Sequence, residues 1–126
     1  METRLKLHLT NSANQNIFTA HGAGFVAVNR QHYEQPLVVT PDQLLLDWQA
    51  RSFDTLAEAD FSYFLTLMPE ILLFGTGPQQ RFAHPRLYRA LTDARIGVEF
   101  MDTPAACRTY NILMAEDRKV VAAILL

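Results

Sequence analysis

The sequence predicts an α/β domain in which a mostly parallel sheet carries helices packed against it and an N-terminal β-hairpin layer lies beside it. Three observations carry this reading. Period-2 segments fill the first half of the chain, helix-spaced apolar residues alternate with short all-apolar runs in the second half, and Pro or Gly punctuates the runs. With 126 residues, 49% of them apolar and 19% charged, a single domain over residues 1–126 is expected. A domain of this size buries ~65–70% of the surface its unfolded chain exposes, which lets it fold without a metal or disulfide staple.

Leu5, Leu7 and Leu9 alternate with Lys6, His8 and Thr10, as in a half-buried strand. Ile17 to His21 and Phe25 to Asn29 flank Gly22-Ala23-Gly24, whose glycines supply the positive φ of a hairpin turn. Leu37 to Thr40, between Pro36 and Pro41, is the next strand. Gln43 to Gln49 fits two patterns, since Thr40 and Gln43 match a helix capping box while Leu44, Leu46 and Trp48 alternate; the strand is preferred. The spacing of Phe61, Phe64, Leu65 and Met68 predicts a helix over Leu56 to Leu67, stopped by Pro69. Ile71 to Phe74 is all apolar, as a strand covered on both faces requires.

Pro85 suits the first position of a helix carrying Leu87, Tyr88 and Leu91, which Ile96-Gly97 closes. Val98 to Met101 is a strand, Thr103-Pro104 caps and opens a helix through Glu116, and Val120 to Leu125 is the last strand. This alternation calls for right-handed crossovers. Leu72, Phe74, Val98, Phe100, Val121, Ala123 and Leu125 are the expected core, with Trp48 mostly inside.

Eleven basic and thirteen acidic side chains leave a net charge of −2, which argues against a nucleic-acid binder. The lone cysteine, Cys107, cannot form an internal disulfide and fits a reducing compartment. No apolar run approaches the ~18 residues of a membrane helix. Residues 1 to 16 carry Lys6, His8, Asn11, Asn14 and Asn16 where a signal peptide would be apolar. A soluble cytoplasmic domain without a transmembrane segment is therefore expected. Arg outnumbers Lys nine to two, and Arg81, Arg86, Arg89 and Arg95 fall close together. They read either as a solvated helix face or as guanidinium forks for an acidic partner.

Several chemistries lack their residues. The three serines stand outside any G-x-S-x-G elbow, and neither lysine follows a glycine-rich loop. Gly75-Thr76-Gly77 follows a strand, but Gln80 stands where a dinucleotide-binding fold needs its third glycine. His8, His21, His32 and His84 are scattered, so neither a metal site nor a cofactor is expected.

Two loops remain, both leaving the carboxyl ends of predicted parallel strands, where crevices form. Gly75, Gly77, Ala105 and Ala106 are small enough to let backbone N–H groups reach a ligand, and Thr76, Thr103 and Arg108 add hydroxyls and a guanidinium. This set reads as a small-anion site at a helix start, or alternatively as a tight turn, a close-packed helix and an N-cap. Cys107, in the first turn of the same helix beside Arg108, is the one candidate nucleophile of an enzymatic alternative; its other reading is a buried small apolar residue.

Leu73-Phe74-Gly75-Thr76-Gly77, then Gly97-Val98-Glu99, then Asp102-Thr103-Pro104-Ala105-Ala106-Cys107-Arg108-Thr109-Tyr110-Asn111, then Glu116 and Arg118 before Ala122-Ala123, form a spaced pattern. It resembles the domain-of-unknown-function family that includes the small mitochondrial assembly factor of respiratory complex I and, more distantly, the adipogenesis-associated domain protein. The resemblance covers roughly Gly24 to Leu126 and is strongest from Pro69 onward. It implies a three-layer α/β fold with a central mixed sheet and a strand around Trp48. It also implies a non-catalytic protein-interaction or assembly-factor module with no cofactor, whose partners are respiratory-chain or membrane-assembly components. Asp117 stands where the family often has glycine after the last long helix, and Asp tolerates the left-handed conformation.

Overall fold

Two tight turns build the first sheet. The computed structural model describes residues 15–126, and the strand expected over Leu5, Leu7 and Leu9 lies outside them. Strand β1 (Phe18–Gly22) turns through Ala23 and Gly24, the latter at φ +76°, into β2 (Phe25–Val28). Gly22 serves a different purpose: a Cβ there would stand 2.3 Å from Cε1 of Phe25, whose ring stacks on His32. The expected hairpin gains a third strand, β3 (Gln31–Tyr33), so β2 stops at Val28 rather than Asn29. Asn29 and Arg30 make the turn with φ of 52° and 71°, and two consecutive left-handed residues match the twist of the strands they join.

The main sheet contains β4 (Leu37–Val39), β5 (Leu44–Leu45), β6 (Ile71–Thr76), β7 (Gly97–Met101) and β8 (Val120–Leu125), in the order β5-β4-β8-β6-β7. Strand β6 pairs parallel with both β7 and β8, and β4 pairs antiparallel with β8 and β5. Only β4 therefore runs against the rest, which makes the sheet mixed and mostly parallel. β8 is buried along its whole length because it has a neighbour on either side and a covered surface above and below.

Among the described residues, three helices flank the sheet: α1 (Glu58–Ser62), α2 (Arg89–Asp93) and α3 (Thr103–Ala115). The chain passes from β6 to β7 through α2, and then back across β6 to β8 through α3. A single crossover hand puts two such helices on opposite faces, and they are so placed. Leu91 of α2 packs with Leu72, Phe74 and Val121, whereas Ala106, Cys107 and Tyr110 of α3 pack with Leu73, Ala122 and Ile124. The three-stranded sheet shares the α3 side. Asn111 fastens it by accepting from Phe18 N–H (2.9 Å) and donating to Phe18 O (2.8 Å), and the Tyr110 hydroxyl donates to Asn16 O. Three layers result.

Several local expectations change. The helix predicted over Leu56 to Leu67 is α1 followed by a 3-10 segment (Tyr63–Thr66), because Phe61 and Phe64 are fixed by ring packing rather than by a continuous helical face. The strand predicted over Gln43 to Gln49 shrinks to β5, and Trp48 lies beyond it in irregular chain. Its indole is nonetheless buried and donates to Asp60 O (3.0 Å), which pulls the chain off the sheet edge. Thr40 makes no helix cap; its Oγ1 accepts from Gln43 N–H and closes a turn. Pro85 opens a 3-10 turn (Pro85–Tyr88) that runs into α2. Arg95 rather than Gly97 ends α2: at φ 65° it lets Ile96 N–H reach Leu91 O and its own N–H reach Thr92 O. Asp117 ends α3 by the same pair of bonds at φ 61°. The expected core is buried except Val98, which is half-buried on the edge strand β7.

Candidate functional site

Where β6 runs out, α3 is set down almost on the backbone. A Cβ on Gly75 would meet Thr103 Oγ1 at 3.0 Å, Ile124 Cδ1 at 3.1 Å and Ala106 Cβ at 3.2 Å, so glycine is what allows the approach. The N-cap of α3 is Asp102 and not the expected Thr103: the Asp102 carboxylate accepts from Ala105 N–H at 2.8 Å. Asp102 O accepts from Ala106 N–H (2.9 Å), Thr103 N–H donates to Gly77 O (2.8 Å), and Pro104 has no N–H to offer. The first turn of α3 thus spends its amides inside the protein and carries a carboxylate at its tip.

Thr103 has a larger part than a cap. Its Oγ1 accepts from Gly77 N–H (2.9 Å) and donates to Leu125 O (2.5 Å), joining the ends of β6 and β8 to the start of α3. Thr76 Oγ1 lies 2.5 Å from Gln79 O and 3.1 Å from Met101 O, and Gln80 Nε2 donates to Phe100 O (3.1 Å). Of the residues expected to form an anion crevice, the structure therefore brings Gly75, Thr76, Gly77, Thr103 and Ala106 together, with Ala105 on the adjoining cap. Gly77 and Thr103 bond to each other, and Thr76, Ala105 and Ala106 bond to neighbouring groups of the protein.

Beside this seam a cavity of about 570 Å³ opens between the β1–β2 turn, Gly77-Pro78, Thr103-Pro104 and Leu126. His21 borders both this cavity and an adjoining depression of about 340 Å³ that holds Cys107, Arg108 and Asn111. Arg108 is exposed there, away from the glycine loop.

Cys107 is 1% exposed, packed among Phe18, Ala106 and Tyr110. Burial pushes its thiol from 9.0 up to about 12, against a weaker lowering by the Arg108 charge. Burial thus outweighs the helix start and the arginine and keeps the thiol protonated near neutrality, which lends the nucleophile alternative no support. Iodoacetamide at about pH 8 is expected to leave the folded protein unlabelled while modifying the urea-unfolded chain fully, read by intact mass. The folded pKa lies above the unfolded one, so the unfolded state sheds its proton first and Cys107 costs stability as pH rises from 9.0 towards about 12.

The four arginines of the expected partner face separate. Arg81 Nη2 pairs with Asp54 Oδ1 (2.6 Å) and its guanidinium stacks 4.4 Å over Phe53. Arg86 and Arg89 share a shallow depression of about 430 Å³ with Glu58 and Asp93, and neither makes an ion pair among the described residues. Arg95 sits at the α2–β7 turn. Sequence reasoning missed Phe82, 73% exposed on the loop between β6 and α2 and edge-on to Phe100. A phenylalanine inside the polar run Gln79 to His84 was the available signal.

Fold and site define a small three-layer α/β domain whose parallel strand ends are sealed by its own hydrogen bonds. The chain belongs to the family described as Protein of unknown function (DUF498/DUF598), whose model matches residues 18–125. It is 38% identical over 104 residues to the NADH dehydrogenase [ubiquinone] 1 alpha subcomplex assembly factor 3 of Bos taurus, spanning 81% of this chain and 55% of that protein. It is 30% identical over 110 residues to the 13 kDa major membrane protein of Francisella tularensis, covering 86% of this chain and 89% of that one. A crystal structure of a Bordetella parapertussis protein superposes with a TM-score of 0.83 at 38% identity, over 88% of this chain and 95% of that one. Among the described residues no helix is long and apolar enough to cross a membrane.

Proposed function

We propose that this chain is a non-catalytic assembly-factor module that holds a protein partner, a respiratory-chain or membrane-assembly component, from the cytoplasmic side. The observation that carries the reading is the 38% identity to the bovine assembly factor over 81% of the chain. The contact face lies on the α1–α2 layer. Arg86 and Arg89 offer guanidinium forks not engaged by any carboxylate of the described residues, and Phe82 offers an exposed ring. Phe82 meets Phe100, whose ring also meets Tyr88 beside Arg89 at 5.2 Å, so aromatic and cationic groups adjoin. Arg81 and Arg95 flank this face.

Affinity capture of the tagged protein from its native organism, followed by mass spectrometry, tests the proposal. Respiratory-chain subunits or membrane-insertion machinery should be recovered, and Arg86→Glu or Arg89→Glu should weaken recovery at low salt, the difference from wild type shrinking as salt is raised, while the fold stays intact. Capture unaffected by both reversals would move the interface elsewhere. Recovery of no such component would end the assembly reading.

A further inference from the structure

We infer that the cavity beside the β1–β2 turn binds a small apolar chain that ends in a carboxylate. Its volume, about 570 Å³, falls inside the range of small-ligand clefts, roughly 300 to 1,000 Å³. It lies at the carboxyl ends of the parallel strands, where the connection leaving β6 departs towards one face and that leaving β7 towards the other.

The chemistry of the walls selects the ligand. Ala23, Gly24, Pro78, Pro104 and Leu126 line the cavity, and its polar floor is already satisfied, since Gly77 N–H, Thr103 Oγ1 and Thr103 N–H all have partners within the protein. A bare anion gains nothing from these floor groups, because their donors are already spent within the protein. A hydrocarbon loses nothing there. His21 joins the cavity to the depression that holds Arg108, an exposed guanidinium with no hydrogen bond or ion pair among the described residues. Asn111, its neighbour, is spent on the Phe18 backbone. A ligand with its chain in the cavity and its carboxylate at Arg108 would use both halves, the head group being held by charge-assisted hydrogen bonds. This site lies on the α3 side of the sheet, opposite the Arg86–Arg89 face, so it stands or falls independently of the assembly reading.

Octanoate, octanol, acetate and inorganic phosphate, each titrated into the nitrogen-15-labelled full chain, provide the test by amide chemical shift. Octanoate should move the amides of Gly22, Gly24 and Gly77 saturably. Octanol should move the same amides with about tenfold weaker affinity, and acetate and phosphate should leave them in place. Arg108→Ala should bring octanoate down to the affinity of octanol without changing octanol. Ala23→Trp, at an exposed turn position that tolerates bulk, should abolish binding of both. Three results would overturn the inference: octanoate that leaves the glycine amides unmoved, phosphate that moves them equally, or an octanoate preference that survives Arg108→Ala.

Discussion

Phe74→Ala is expected to destabilise the protein by about 3–5 kcal/mol, the range for deleting a fully buried ring. Phe74 is wholly inaccessible on β6, and its ring meets Phe61 at 5.2 Å, Phe100 at 5.4 Å and Trp48 at 5.6 Å. These partners come from three separate parts of the chain: α1, β7 and the segment after β5. The cavity left by alanine cannot collapse by moving one element, because each wall is held by a different strand or helix. Domains of this size typically have about 5–15 kcal/mol in all, so the variant should lose a large share of its stability and unfold at a much lower urea concentration. Phe82→Ala removes the same atoms from a ring that is 73% exposed and should stay within about 0.5 kcal/mol of wild type. Urea titration of the three proteins, followed by Trp48 fluorescence, checks both values. Equal losses would mean that burial on β6 is not what holds this face together.

The sheet was legible wherever a strand is covered on both faces. Val120 to Leu125 and Ile71 to Phe74 are unbroken apolar runs because helices or a second sheet shield each side, and the structure places them as the adjacent strands β8 and β6. Edge elements were harder to read. β3 carries Gln31, His32 and Tyr33, whose burial pattern is that of surface chain, and it is held by backbone pairing and a turn without glycine. The sequence gives no local sign that Arg30 and Arg95 adopt positive φ; the strain is offset by the strand pairing and the helix-ending bonds they permit. Trp48 illustrates the reverse error. Its alternation with Leu44 and Leu46 suggested a strand, but burying an indole and satisfying its N–H draws the chain towards Asp60 instead.

At the strand ends, the small residues that the sequence singles out do come together, while the hydrogen bonds they make are not legible in it. Small residues at Gly75, Gly77, Ala105 and Ala106 do mark the place where helix and strand approach, but small size is needed equally for packing and for ligand access. What decides between them is whether the freed amides point outward, and that depends on Thr103 and Asp102, each within a few residues of the other. Cys107 shows the same limit. Its position in the helix is readable, yet its ionisation is set by Phe18 and Tyr110, one of them from the opposite end of the chain.

Thr103→Val should cost about 2–4 kcal/mol although it is nearly isosteric. The hydroxyl serves two buried backbone groups, Gly77 N–H and Leu125 O, and the side chain is 5% exposed. A methyl in its place leaves a donor and an acceptor without partners, each costing about 1–3 kcal/mol when water cannot replace the bond. Thr103→Ser keeps the hydroxyl and loses only a methyl, so its cost should be about 1 kcal/mol or less. The difference between the two variants isolates the hydrogen bonds from packing. Hydrogen exchange adds a local readout: the Gly77 amide should exchange faster in Thr103→Val than in Thr103→Ser, while amides in the middle of β6 should change only with global stability. If valine proved as stable as serine, the hydroxyl would not be what ties α3 to the ends of β6 and β8, and the close approach at Gly75 would have to carry that junction alone.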